Sequence, residues 1–183
     1  HKKKICFVIT PPNHYGRSIR ILRELAKRSD VALTLIVGGA AIPPKSDIPA
    51  RLEKEGFTVS TLVPFGGSDT PAAMAATAGR IATDFAHAFE QSAPDLVVVR
   101  ADRFEILPIT MAAAYMNIPI AHLEGGDVTG TIDESVRHAT TKVAHLHFVT
   151  NEDAKKRILR MGEPAKYIHN VGAPEVEIIA AVD

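Results

Sequence analysis

Short apolar runs alternate along the chain with longer stretches whose apolar residues recur at helical spacing. The apolar runs predict strands at 4–10, 31–39, 57–65, 95–102, 118–126, 145–150 and 167–172. The amphipathic stretches predict helices at 16–29, 48–56, 71–91, 103–117, 131–144 and 151–162, the fourth of them interrupted by Pro108. Because buried strands alternate with helices, we expect a parallel sheet covered on both faces, a doubly wound, Rossmann-like α/β fold.

Two of the predicted helices begin with capping signals. Thr131 and Glu134 have the spacing of a capping box, and so do Thr150 and Asp153. We therefore expect the two threonines to cap the helices that follow them.

Composition narrows the class of protein. The 183 residues include 21 basic and 21 acidic side chains, and this formal net charge of +0 argues against nucleic-acid binding. Cys6 is the one cysteine, so no disulfide can form within the chain and a cytoplasmic location is expected. The apolar runs are shorter than the roughly 20 residues of a membrane helix, and the first is too short for a signal peptide. We expect residues 1–183 to form one domain with no membrane association.

The most informative residues follow two of the predicted strands. Asp102 ends the strand at 95–102, and Glu124 follows an apolar run and precedes two glycines. The carboxyl ends of parallel strands lie at one edge of a sheet, so both acids should reach the same edge. Ligands of open α/β sheets bind at this edge. The next helix adds Asp133, Glu134 and Arg137 in its first turns. Neighbouring carboxylates have different pKa values, which suits a general acid paired with a general base.

Four of these five residues also have a structural interpretation. Glu134 could close the capping box, and Asp133 could favour the helix N-terminus. Arg137 could form a surface pair with the acid four residues before it, and Asp102 could cap the helix near Arg103. An acid between a strand and Gly-Gly has no such structural task, so Glu124 is the strongest catalytic candidate.

The histidines admit two interpretations. His122 shares a strand face with Glu124, and His145 shares one with His147, so a metal site with the acids is conceivable. Their spacing matches no compact metal motif. The favoured interpretation is that His122 hydrogen-bonds within the crevice, that the other two pack in a strand, and that no metal is bound.

The first strand-to-helix turn, Thr-Pro-Pro-Asn-His-Tyr-Gly at 10–16, lacks the glycine-rich dinucleotide fingerprint. The sequence also has no P-loop. We therefore expect neither a nicotinamide nor an ATP site, and no cofactor.

Residues 100–163 closely resemble the UDP-N-acetylglucosamine 2-epimerase family, especially its hydrolysing branch. The resemblance rests on the acid after the strand, on the His-Leu-Glu-Gly-Gly segment at 122–126 and on Gly-Thr-Ile-Asp-Glu-Ser-Val-Arg-His at 130–138. The segment Val-Gly-Ala-Pro-Glu-Val-Glu at 171–177 resembles the end of the family's first half.

The resemblance implies the N-terminal half of a two-domain, GT-B-like enzyme whose active site lies between the halves. Such enzymes eliminate UDP from the sugar with loss of the C2 proton, and hydrolysing members then add water to release N-acetylmannosamine or a related sugar for sialic-acid-type synthesis. Asp102, Glu124 and Asp133 correspond to the catalytic acids. The expected substrate-binding residues are Glu134, Arg137, His122 and Arg103. A UDP-sugar substrate, a C-terminal domain beyond this chain and a homo-oligomer are the implied partners, and the isolated domain should turn over little substrate.

Two segments differ from the family's usual pattern. The first turn has Pro12 and His14 where an arginine and an acid are usual, and Arg100-Ala101 precedes Asp102 where His-Gly is usual. These differences leave open a non-catalytic sugar-nucleotide-binding or assembly module of the same fold. A metallohydrolase built on the histidines is a third hypothesis.

Overall fold

Seven parallel strands form the centre of the fold. The computed structural model describes residues 1–66 and 70–180, without the side chains of residues 177 and 178. The strands are β1 (Lys3–Ile9), β2 (Val31–Gly38), β3 (Val59–Val63), β4 (Leu96–Arg100), β5 (Ile120–Leu123), β6 (Leu146–Val149) and β7 (Ile168–Asn170). Their order in the sheet is β3-β2-β1-β4-β5-β6-β7, and every neighbouring pair is parallel. The predicted Rossmann-like α/β fold is confirmed.

Seven α-helices connect or follow the strands within the described ranges. They are α1 (Asn13–Ala26), α2 (Ile48–Lys54), α3 (Pro71–Ser92), α4 (Ile106–Tyr115), α5 (Ile132–Val143), α6 (Glu152–Arg160) and α7 (Pro174–Ala180). Short 3₁₀ turns occupy Gly39–Ala41 and Ala165–Tyr167. None of the helices in the described part of the chain has the length and apolar character needed to cross a membrane.

Three details of the helices differ from the sequence prediction. Pro108 does not interrupt α4, because the helix begins at Ile106 and the proline lies in its first turn, where no backbone N–H is needed. The helix α1 begins at Asn13, three residues earlier than predicted. The helix α7 was not predicted from its short sequence pattern.

The capping predictions were also wrong in detail. Thr131 is the N-cap residue of α5, but its side chain makes no capping hydrogen bond. Glu134 Oε2 instead accepts from the backbone N–H groups of Thr129 and Gly130, at 2.9 and 2.8 Å. The helix α6 is capped by Asn151 rather than Thr150, since Asn151 Oδ1 accepts from Ala154 N at 2.8 Å.

Alternate residues of the central strands pack into two cores on opposite faces of the sheet. Val8 and Val97 face the core that α3 and α4 cover, whereas Phe7 and Val98 face the core under α1 and α2. Cys6 is fully buried in the first core, and burial raises the pKa of its thiol to about 12. Cys6 is thus a buried side chain of the core, and the two cores fix the strand ends that carry the site.

Candidate active site

A cavity of about 300 Å³ opens at the carboxyl edge of the sheet. Its wall is formed by side chains that follow β4, β5 and β6, together with residues of α1, α5 and α7. The lining residues are Arg17, Ala101, Asp102, Glu124, Asp127, Arg137, Thr150, Ala173 and Glu175. The cavity therefore lies where the topology of an open α/β sheet places ligands.

Asp102 is held at the cavity by Arg137. Nη2 of Arg137 donates a short hydrogen bond to Asp102 Oδ2, and Nη1 donates to the backbone oxygen of Asp127 at 2.6 Å. The side chain of Arg137 is almost completely buried, and this burial lowers the pKa of the guanidinium from its ordinary value. Arg137 is thus a buried cation that joins the turn after β4 to the turn after β5.

Glu124 is held by a second arginine. Nη1 of Arg100 donates to Glu124 Oε1 at 2.7 Å, while Glu124 Oε2 lies 3.8 Å from Nη1 of Arg17. Arg17 is partly exposed and also pairs with Glu175 through Nε at 2.5 Å. Asp102 and Glu124 therefore each have a buried guanidinium as partner, a charge-assisted arrangement that restricts the carboxylate geometry.

The backbone turns sharply at both strand ends. Ala101 and Glu124 have φ values of 61° and 64°, in the left-handed region that non-glycine residues seldom adopt. Ala101 N donates to Leu123 O and Glu124 N donates to Phe148 O, each at 2.8 Å. These bonds hold the two strained residues to the neighbouring strand, and such strain is typical of functional sites.

The Gly-Gly pair after Glu124 has a steric explanation. A Cβ on Gly125 would lie 2.9 Å from both the His122 ring and the Thr141 hydroxyl. Gly126 has a φ of 87°, and a Cβ there would lie 2.6 Å from the backbone oxygen of Ala154. Glycine is therefore required for the close approach of this turn to α5 and α6.

His122 lies beneath the cavity rather than in its wall. Its side chain is fully buried, with Nε2 at 2.8 Å from Ala101 O and Nδ1 at 3.1 Å from Thr141 Oγ1. A carbonyl can only accept, so Nε2–H donates to Ala101 and Nδ1 accepts from the threonine hydroxyl. Burial lowers the pKa of His122 to about 4, so the ring is neutral near pH 7. It supports the turn that carries Asp102.

The other predicted site residues lie around the cavity. Asp133 is half-buried in the first turn of α5, four residues before Arg137 and so on the same helix face, but it is not a lining residue. Glu134 holds the turn at 129–130, and these backbone hydrogen bonds lower the pKa of its carboxyl. Arg103 is half-exposed and donates to Glu105 Oε1 at 3.0 Å. The structure thus brings together Asp102, Glu124 and Arg137.

Four charged residues of this region were not predicted as site residues. Arg17, Asp127 and Glu175 line the cavity, and Arg100 lies behind Glu124. The sequence signal for Arg17 is its place after the first strand-to-helix turn, an edge where ligand-binding residues gather. For Arg100 the signal is a charge within an otherwise apolar strand.

His14 also faces this cluster from the first turn of α1. It is almost completely buried, and its pKa is lowered to about 3, first by burial and then by Arg100, Arg17 and Arg103. His14 is therefore a neutral side chain beside several cations.

The described residues contain no group of three or more His, Cys, Asp or Glu side chains arranged to hold a metal ion. The prediction that His145 and His147 both pack in a strand is wrong for His145, which precedes β6 and is exposed, whereas His147 is buried within β6. His145 Nδ1 accepts from Ile120 N at 3.2 Å, and the buried His147 lies 3.4 Å from Glu163 through Nε2.

The fold and cavity define a class of protein: an α/β domain that presents two arginine-paired carboxylates at the carboxyl edge of a parallel sheet. Residues 23–183 match the family model described as UDP-N-acetylglucosamine 2-epimerase. The chain is 34% identical over 179 residues to the UDP-N,N'-diacetylbacillosamine 2-epimerase (hydrolyzing) of Legionella pneumophila. It is 33% identical over 180 residues to the GDP/UDP-N,N'-diacetylbacillosamine 2-epimerase (hydrolyzing) of Campylobacter jejuni. This chain belongs to the UDP-N-acetylglucosamine 2-epimerase family, as its resemblance predicted.

The two alignments cover 97% of this chain but only 48% and 47% of the relatives, so the chain spans about half their length. A crystal structure of UDP-GlcNAc 2-epimerase from Neisseria meningitidis bound to UDP-GlcNAc superposes with a TM-score of 0.81. Its sequence identity is 18%, and the match covers 98% of this chain and 50% of that one. This likeness concerns the fold, and it agrees with the predicted place of the chain as one half of a GT-B-like architecture.

Proposed function

We propose that this chain supplies the catalytic carboxylates of a hydrolysing nucleotide-sugar 2-epimerase. In the first step a carboxylate takes the C2 proton of the sugar while the C1–O bond breaks, and the electron pair of that bond leaves with the nucleoside diphosphate. The product is a 1,2-unsaturated sugar. A carboxylic acid then delivers a proton to the opposite face of C2 while water adds to C1, and the proton that the water loses passes to a carboxylate of the site. The sum is nucleotide-sugar plus water giving nucleoside diphosphate and the C2-epimeric free sugar.

One observation carries this proposal: Asp102 and Glu124 come from adjacent strands, line one cavity and each pair with a buried arginine. Proton removal and return on opposite faces of one carbon require two groups that flank it. We assign Asp102 and Glu124 these proton transfers at C2. Asp133 is assigned to the leaving-group side, since it lies on the face of α5 that carries Arg137.

The remaining candidates have supporting roles under this proposal. Arg17 is the partly exposed guanidinium of the cavity, and a diphosphate is the anion that such a planar donor group recognises best. Arg137 acts by fixing Asp102, and His122 acts through the turn at Ala101. Glu134 shapes the turn at 129–130, and we assign substrate binding to Arg103 because it directly follows Asp102 in sequence and its side chain is half-exposed.

The names of the relatives guide the choice of substrate. We propose a UDP-linked N-acetylated amino sugar, either UDP-N,N'-diacetylbacillosamine or UDP-N-acetylglucosamine, with N-acetylmannosamine or its diacetylated counterpart as product for sialic-acid-type synthesis. The cavity is open on one side in this half, so water is not excluded from the reacting centre. A second half is therefore part of the proposed functional unit, and the family resemblance supports a homo-oligomer.

The test is a reaction of the full-length protein with each UDP-sugar and its GDP counterpart in deuterated water. We expect nucleoside diphosphate release together with a C2-epimeric sugar that carries deuterium at C2, because the returned proton comes from an exchangeable acid. The 183-residue chain alone serves as the comparison and should release little nucleotide. Binding of a UDP-sugar by the full-length protein without turnover would favour the non-catalytic module instead.

A further inference from the structure

Arg100 is an unusual residue for its position. It is the last residue of β4, it follows three valines, and it is 1% exposed. Its side chain lies on the same face of the strand as Val98, towards α1, and it is the largest fully buried side chain in the described part of the chain. Removing an arginine from water costs several kcal/mol unless its partners compensate. Its retention inside the sheet therefore requires an explanation.

The hydrogen bonds of Arg100 compensate this cost only in part. Nη1 donates to Glu124 Oε1 at 2.7 Å, and Nη2 makes a long bond of 3.3 Å to the backbone oxygen of Arg17. Nε is buried and has no hydrogen-bond partner among the described residues. Burial lowers the pKa of Arg100, and Glu124 acts in the opposite direction. An apolar residue at this position would avoid the desolvation cost, so the ion pair with Glu124 is the contact that accounts for the arginine.

The two carboxylate oxygens of Glu124 have different contacts. Oε1 is held at hydrogen-bond distance from Arg100, whereas Oε2 is 3.8 Å from Nη1 of Arg17, beyond that distance. Arg17 lines the cavity, and Arg100 does not. The guanidinium of Arg100 therefore holds Oε1 on the side away from the cavity, and Oε2 faces Arg17 of the cavity wall.

We propose that Arg100 is a positioning residue that binds Oε1 of Glu124 and leaves Oε2 as the oxygen that exchanges a proton with the sugar. This inference rests on the proposed function, because it needs Glu124 to transfer a proton at C2. Arg100 acts through Glu124 and does not contact the substrate. Its loss should therefore change the chemical step rather than substrate binding.

The experiment compares Arg100→Lys and Arg100→Gln with the unmodified full-length protein in steady-state kinetics. Lysine keeps the charge without the planar fork, and glutamine keeps one donor without the charge. We expect kcat to fall about 10²-fold in either variant, the cost of a catalytic group displaced by about 1 Å, with KM changed less than about threefold. The matched control is Arg28→Lys, because Arg28 forms an exposed pair with Asp30 far from the cavity.

A double-mutant cycle with Glu124→Asp separates positioning from a general structural effect. The shorter aspartate already displaces the carboxylate, so Arg100→Lys should cost much less in that background. Equal and additive losses would overturn the proposal, as would a KM increase at unchanged kcat. Failure of both Arg100 variants to fold, with a folded Glu124→Gln protein, would assign Arg100 a structural role only. A fully active Glu124→Gln protein would instead refute the proposed function itself.

Discussion

The buried, neutral state of His122 makes a quantitative prediction about stability and pH. The pKa of His122 is lowered from 6.5 to about 4 by burial, so the unfolded chain binds more protons than the folded one between these values. The stability contributed by the neutral ring is complete above pH 6.5 and is lost as the pH falls towards 4. The perturbation that tests this is His122→Gln, whose amide can replace one donor and one acceptor but cannot titrate in this range.

The size of the effect follows from the linkage between protonation and folding. Proton binding to the folded and unfolded chains with these two pKa values lowers the free energy of unfolding by about 2 kcal/mol between pH 7 and pH 5 from His122 alone. His14 has a pKa of about 3, so its protonation in the unfolded chain should lower the free energy of unfolding by a similar amount in both proteins. We therefore expect His122→Gln to be less stable at pH 7, because its fit is poorer, but to lose about 2 kcal/mol less on acidification.

The assay is urea unfolding of the 183-residue chain at pH 7 and pH 5, followed by circular dichroism. The matched control is His87→Gln, which makes the same replacement at an exposed position of α3. An identical loss of stability in the His122→Gln and unmodified chains would refute the reasoning, because it would mean that the ring is not held neutral by the fold.

Two further predictions concern the ends of secondary-structure elements. Asn151→Ala should lower the free energy of unfolding by about 1 kcal/mol and Thr150→Ala by much less, since Asn151 is the residue that caps α6. Urea unfolding of both variants measures this difference. A larger loss in Thr150→Ala would contradict the assignment of the cap. Ala101→Gly should raise the free energy of unfolding by up to about 1 kcal/mol. Glycine removes the steric strain of alanine in the left-handed region, and this gain exceeds the cost of the greater chain entropy of glycine in the unfolded state. A lowered thermal midpoint would contradict this prediction.

The alternation of strands and helices could be predicted from the sequence because it depends on local periodicity. Asp102 and Glu124 could be placed at one edge for the same reason, since the carboxyl ends of parallel strands meet there. The choice between Thr150 and Asn151 as cap could not be predicted, because both side chains can cap and the extended backbone at Asn151 decides.

Long-range side-chain pairs could not be predicted from the sequence for a different reason. Arg100 reaches Glu124 across 24 residues of sequence, and Arg137 reaches Asp102 across 35, so no local pattern reports either pair. The sequence instead suggested a local partner for Arg137, four residues earlier in the helix. Strand alternation predicted that His122 would face the crevice, but the side chain lies beneath the cavity because Thr141 of α5 packs against it.

The most direct test of the central claim is the turnover number of the full-length protein carrying Asp102→Asn or Glu124→Gln. Both replacements keep the size of the side chain and remove its ability to take a proton. We expect each replacement to lower kcat by about 10²- to 10⁴-fold, the range expected for a general acid or base, while Arg28→Lys retains normal turnover. Unchanged kcat in both variants would contradict the claim that these two carboxylates perform the proton transfers.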